Sequence, residues 1–256
     1  MRYRELVEAD VPVSEELMQV FHNMKAECRP FLKEIDNRPA RWIMYRGMND
    51  QRIIGKGLED DYGIKTVRLT DRRPKDTPEE GHASLNEYFN KHYGHPYRNG
   101  LFVTGNEMAA ESYGMPYAVL PIGKFDYIWN RDIDDMTTEI YDYIEGTQDG
   151  IENGLIHEHY AWRQFYYKTT KGRKWVPPGL PGVPASAPVT LEQMTEFMKG
   201  KTDVDLIELV LSEYSPYISK NLRSAISHGP EIMIWCQEYY YMDPVYLDKF
   251  QKFLSK

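Results

Sequence analysis

Three short stretches, far apart in this chain of 256 residues, carry side chains that can do chemistry together. They are Tyr45-Arg46-Gly47, Thr104-Gly105-Asn106 directly after Leu101-Phe-Val, and Glu231 at the head of Glu-Ile-Met-Ile-Trp-Cys. Each puts a polar or charged group at the edge of an apolar, strand-like run. A guanidinium is a fork of donors suited to phosphate, and a following glycine lets backbone approach a ligand closely. A carboxylate in the same cleft stabilises positive charge that develops during a reaction. Each stretch also has a plain structural reading. Arg46 can ion-pair at a strand end, Thr104 or Asn106 can cap a helix, and Glu231 can sit on an edge strand in water. Glu231 is the hardest to explain by packing, because it follows a Gly-Pro turn and heads an otherwise apolar run.

The elements that must position these residues are legible from spacing. Ser14 is placed to cap a helix whose apolar face is Leu17, Phe21, Met24, Cys28, Phe31 and Ile35, with Pro30 expected to kink or divide it. Strands are expected at 41–45, 64–69, 101–103, 117–122 and 125–129, and one is expected to follow Glu231. Helices are expected at 84–93, after Asn106, behind a Thr190/Gln193 capping box, at 203–214, as a short turn at 221–227, and after Asp243-Pro244. Apart from the strand at 64–69, the segment between the first strand and about residue 80 reads as loop. Short β-runs with segregated helices point to an α+β fold. A single domain spanning 1–256 is expected, with a helical segment 1–38 and an insertion around 131–220.

Hydrophobic residues make up 41% of the chain and aromatics 13%, enough for a sizeable core. The formal charge of -8 argues against non-specific coating of nucleic acid, but the charge is segregated. Residues 131–159 hold nine acidic side chains and one basic. Residues 163–174 then hold five positive charges and no negative one, interleaved with Phe165, Tyr166 and Tyr167 and followed by Trp175. Such a run suits backbone contacts and base stacking on single-stranded nucleic acid, and it equally suits docking on the acidic segment before it. Lys171, Arg173 and Lys174 are its candidate contacts. A second basic stretch, Val67 to Pro74 with Arg72 near its end, suits covering a ligand, gripping an anionic acceptor, or surface ion pairing.

Cys28 and Cys236 are the only cysteines, too few for a disulfide scaffold. The first residues lack the apolar core of a signal peptide, and no run reaches membrane-spanning length. A soluble, cytoplasmic protein is the expectation. The pairs His92/His95 and His157/His159 lack the further ligands of a known metal site, so no metal is expected.

The order of Arg46, Thr104-Gly105-Asn106 and Glu231 resembles the Arg, Ser-Thr-Ser and Glu signatures of the mono-ADP-ribosyltransferases. The resemblance covers residues 41–240 through three short motifs. Thr104 keeps the hydroxyl of Ser-Thr-Ser, whereas Gly105 and Asn106 depart from it. The resemblance implies a split two-sheet core with flanking helices and NAD as co-substrate. It further implies Arg46 on the NAD phosphate, the Gly47 backbone on the nicotinamide amide, and Thr104 orienting Glu231, the catalytic carboxylate. Tyr113, in the helix behind the second strand, is implied to stack on nicotinamide, although core packing explains it as well. Many relatives that modify macromolecules carry Gln or Glu two residues before the catalytic Glu. Gly229 stands there, so that rule does not name the acceptor. The opening helix, Cys28-Arg-Pro-Phe-Leu and Arg72-Arg73-Pro74 are similar to bacteriophage proteins of this size. That implies a phage or toxin context in a bacterial host and a possible antitoxin or other regulatory partner, while the basic-aromatic run from Arg163 to Trp175 puts a nucleic-acid acceptor (RNA or DNA) slightly ahead of a protein one. NAD glycohydrolase activity and a non-catalytic phage structural or inhibitory protein are the alternatives.

Overall fold

The computed structural model describes residues 13–48, 61–70, 72, 79–133, 196, 199–200, 202–211, 214 and 216–256. The chain divides into two compact units, one formed by 1–72, 95–134 and 217–256, the other by 73–94 and 135–216.

The first unit is built on antiparallel strands in two sheets. With β1 Tyr45–Met48, β2 Tyr62–Thr66, β3 Leu101–Val103, β4 Met115–Pro121, β5 Asp126–Trp129, β6 Ile232–Trp235 and β7 Glu238–Met242, one sheet has the order β1-β4-β7-β2 and the other β3-β6-β5. Mixed helix and antiparallel sheet makes the fold α+β. Among the described residues a single bridge joins the sheets: the Tyr45 amide donates to the Thr104 carbonyl at 2.7 Å and the Thr104 amide returns a bond at 2.9 Å.

Local chemistry accounts for the flanking helices. Ser14 accepts from the Leu17 amide and opens α1, Glu15–Glu27; Pro30 then sits in the first turn of α2, Arg29–Glu34, dividing the apolar stripe as expected. Phe21 packs 5.1 Å from Phe250 of α7, Leu247–Leu254 (ring centroids), and the stripe from Leu17 to Ile35 is buried with Leu120, Tyr240 and Met242 of the larger sheet. Asn106 caps α4, Glu107–Glu111, by accepting from the Met108 and Ala109 amides. α6, Leu222–His228, delivers the chain through Gly229 to Glu231 and β6.

In the second unit α3, Glu79–Tyr93, carries Lys91 and His92, both of which contact Glu208 of α5, Asp203–Leu211. The helix expected behind Thr190 and Gln193 lies outside the described residues. Two expectations need correction. The strand expected at 41–45 begins only at Tyr45, because the Arg41 and Trp42 amides both close onto the Arg38 carbonyl and make a turn. β7 has no counterpart among the expected strands, yet it is an inner strand of the larger sheet.

Candidate functional site

The site grows from the outer edge of β3. A strand edge presents carbonyls at every second residue, and each needs a partner. Thr104 uses its carbonyl to join β1. The Phe102 carbonyl accepts from Arg46 Nη1 at 3.0 Å, and the Gly100 carbonyl accepts from Arg72 Nη1. Two arginine side chains thus complete the edge where β1 diverges, and a cleft of about 230 Å³ opens there. Arg46, Arg68, Arg72, Thr66, Asn99 and Tyr239 are among its lining residues.

Strand register brings Glu231 opposite Thr104, beside this cleft rather than in its lining. Leu101 pairs with Ile234 and Val103 with Ile232, so one step further Thr104 lies opposite Glu231. The Thr104 hydroxyl donates to the Gly229 carbonyl at 2.6 Å and accepts from the Asn106 amide at 3.1 Å. Its one proton is spent on the turn that presents Glu231, so Thr104 shapes that turn rather than bonding to the carboxylate. The helix-cap reading of this segment holds as well, through Asn106. The carboxylate pairs with Arg98 instead, Nη1 to Oε1 at 3.4 Å. Glu231 is neither at a sheet edge nor open to water, since β6 is the middle strand of its sheet and the side chain is 19% exposed.

Cations outnumber anions here. The Arg72 and Arg98 guanidinium carbons lie 4.2 Å and 4.6 Å from the centroid of the Phe102 ring, a cation–π arrangement for both. Burial lowers the Arg72 guanidinium to about 10, and the nearby charges of Arg46 and Arg98 push in the same direction while Glu231 and Tyr239 oppose them. An anion in the cleft would relieve that repulsion. Burial likewise raises the Tyr239 phenol, so this ring is a neutral hydrogen-bonding wall. Arg46→Ala is expected to weaken binding of pyrophosphate about 10- to 100-fold, the weight of hydrogen bonds to a charged group. Unchanged affinity by calorimetry would show that the cleft is not built for anions.

The remaining expected residues separate into two groups. Gly47 and Tyr113 stand together against α4, on the face of β1 opposite to the Arg46 side chain. A Cβ on Gly47 would overlap the Ala110 carbonyl of α4 and crowd Tyr113, so glycine lets α4 cross β1. The Tyr45 amide and carbonyl point away from β4, and by alternation those of Gly47 do too, past the Thr104 bridge. Tyr113 is 59% exposed, which removes its core-packing reading. Lys171, Arg173 and Lys174 lie outside the described residues, as do His157 and His159. Arg72, grouped with them from sequence as an acceptor contact, sits on the Phe102 ring in the same cleft as Arg46. It makes no surface ion pair among the described residues.

Arg98, Phe102 and Tyr239 were not singled out from sequence. Their signal was weak: an Arg in Tyr-Arg-Asn-Gly before a strand, one aromatic in an apolar run, and one of three successive tyrosines. The thiols offer no rival nucleophile, since burial raises that of Cys28 and pushes Cys236 up to about 12. Among the described residues no group of His, Cys, Asp and Glu could hold a metal ion, and no helix is long and apolar enough to cross a membrane. Comparison with protein-family models, with curated proteins and with solved structures gives no match.

Proposed function

We propose that the chain is an NAD-dependent mono-ADP-ribosyltransferase with a split two-sheet core of that family's type. One observation carries the reading. Arg46, Thr104 and Glu231, separated by 58 and 127 residues, meet where the two sheets touch, with Thr104 bridged to the neighbour of Arg46 and opposite Glu231 in register. The excess of guanidinium groups over carboxylates suits a pyrophosphate. The outward-facing Gly47 backbone beside Tyr113 suits the amide and ring of nicotinamide.

In this reading Arg46 and Arg72 hold the pyrophosphate, and Glu231 faces the nicotinamide ribose. The bond between ribose C1′ and the nicotinamide nitrogen breaks, nicotinamide leaves with the electron pair, and the ribose becomes oxocarbenium-like. Glu231 stabilises that positive charge and accepts from a ribose hydroxyl. An acceptor nucleophile then bonds to C1′ and releases its proton to solvent. The acceptor is a host macromolecule, with nucleic acid favoured over protein by the basic-aromatic run at 163–175.

Gly229 at the position two before Glu231 supplies no acceptor-orienting side chain, which favours water as acceptor in a second reading, NAD glycohydrolase. Incubation of the purified protein and a bacterial lysate with NAD labelled in the adenylate half separates the readings. Label on RNA, DNA or protein supports transfer. Free ADP-ribose with equimolar nicotinamide supports hydrolysis. Intact NAD at every protein concentration would sink both and leave a non-catalytic role.

A further inference from the structure

Arg98 is a charged side chain with a use that the resemblance does not assign. It sits in a single 3₁₀ turn, Tyr97–Asn99, held on both sides. Tyr97 is buried edge-on to Trp235 of β6, with ring centroids 6.5 Å apart, and Asn99 Nδ2 donates to the Leu69 carbonyl at 2.9 Å. Between these anchors the Arg98 side chain is only 7% exposed. Neither Arg98 nor Glu231 is among the residues that line the cleft with Arg46 and Arg72; the pair stands beside it, close enough for both charges to act on Arg72. A buried guanidinium is costly without an anion and a flat surface to rest on. Glu231 supplies the first and the Phe102 ring the second. Phe102 and Thr104 alternate onto the same face of β3, so the ring that seats Arg98 stands on the face where Thr104 meets Glu231.

We infer that Arg98 is a positioning residue, whose guanidinium, seated on the Phe102 ring, fixes the direction of the Glu231 carboxylate beside the cleft. The inference rests on the transferase reading for its role in turnover, and on geometry alone for the coupling itself. The Arg98–Glu231 contact, at 3.4 Å, is long for a charge-assisted bond. It leaves the carboxylate able to take a ribose hydroxyl. Other charged groups near Glu231 are Arg72, from the segment after β2, with Arg46 behind it. His228 ends α6 three residues earlier, and its Nδ1 lies 2.7 Å from the Ser224 carbonyl.

The test has two readouts. The first is the titration of the Glu231 carboxyl by ¹³C NMR, assigned by its loss in Glu231→Gln. Removing an adjacent opposite charge raises a carboxyl's titration midpoint. Arg98→Met is therefore expected to move it up by about one pH unit or more, and Arg98→Lys, which keeps the charge, by much less. The second is nicotinamide release. Arg98→Met is expected to lower kcat about 10- to 100-fold with KM for NAD within about threefold, and Arg98→Lys to recover part of the loss. The acid limb of the kcat profile then moves to higher pH with the NMR midpoint. Arg98→Gln replaces the Met variant if that protein does not fold. A neutral variant that leaves the Glu231 midpoint and the acid limb where they were overturns the inference, whatever happens to Tm. If the midpoint moves but the wild type releases no nicotinamide, the coupling stands and the transferase reading falls. If release depends on Glu231 but ignores Arg98, the reading stands and the positioning role falls.

Discussion

Glu231→Gln is expected to lower nicotinamide release from NAD by about 10³-fold, close to 4 kcal/mol of transition-state stabilisation, with KM changed by less than about threefold. The loss falls on kcat because the charge matters only once the ribose turns cationic, and the neutral amide keeps the carboxylate's shape in the ground state. The fold is expected to survive, because the Gln oxygen still accepts from Arg98. Glu231→Ala removes one acceptor from a buried guanidinium, so it should cost about 1–3 kcal/mol more stability than the Gln variant. Steady-state release with NAD, read beside thermal melts of both variants, checks the whole argument. A Gln variant as active as wild type would remove Glu231 from the chemistry, and an Ala variant as stable as the Gln variant would remove the ion pair from the fold.

Gly105→Ala is the second large effect expected, and it acts through packing. A Cβ at Gly105 would overlap the Ile226 carbonyl and crowd the Ile226 backbone behind it. No flexible side chain stands there to move aside, so either α6 or the Thr104-Gly105-Asn106 turn must shift. Overpacking of this kind costs about 1–3 kcal/mol, and more when backbone is the obstacle. The shift also reaches function. α6 leads into Gly229, whose carbonyl holds the Thr104 hydroxyl, and Glu231 follows two residues later. The variant is expected to melt several degrees lower and to release nicotinamide more slowly even well below its Tm. Wild-type Tm with wild-type activity would show that the close approach of α6 is not needed. Gly105 is small because a helix carbonyl lies against it, and Asn106 is there to cap α4.

What could be read from sequence follows one division. Features set by neighbours a few residues apart were legible. The 3-and-4 spacing from Leu17 to Ile35, Ser14 before it and Pro30 within it define α1 and α2, because a helix places those residues on one face through local hydrogen bonds. Leu101-Phe-Val with Asn106 behind it defines β3 and the cap of α4 on the same terms. β7 was not legible, since Glu-Tyr-Tyr-Tyr-Met earns its place only by pairing with β2 and β4 from distant parts of the chain.

The candidate site divides the same way. The residue types of Arg46, Thr104 and Glu231, and their positions at the ends of apolar runs, were sequence properties. Which other groups face them was decided by the tertiary fold. An arginine looks alike in sequence whether it meets solvent, a carbonyl or a ring. The sequence left Arg72 as a ligand cover, an acceptor contact or a surface ion pair, and the edge of β3 draws it to the Gly100 carbonyl and the Phe102 ring. Arg98 and Glu231 pair across 133 residues, a separation at which no spacing rule operates. The chain by itself therefore determined its local elements and the polar groups at their ends. Only the meeting of two sheets at Tyr45 and Thr104 decided that three arginines and one glutamate share a corner, because burying charge and completing a strand edge depend on what lies across the gap.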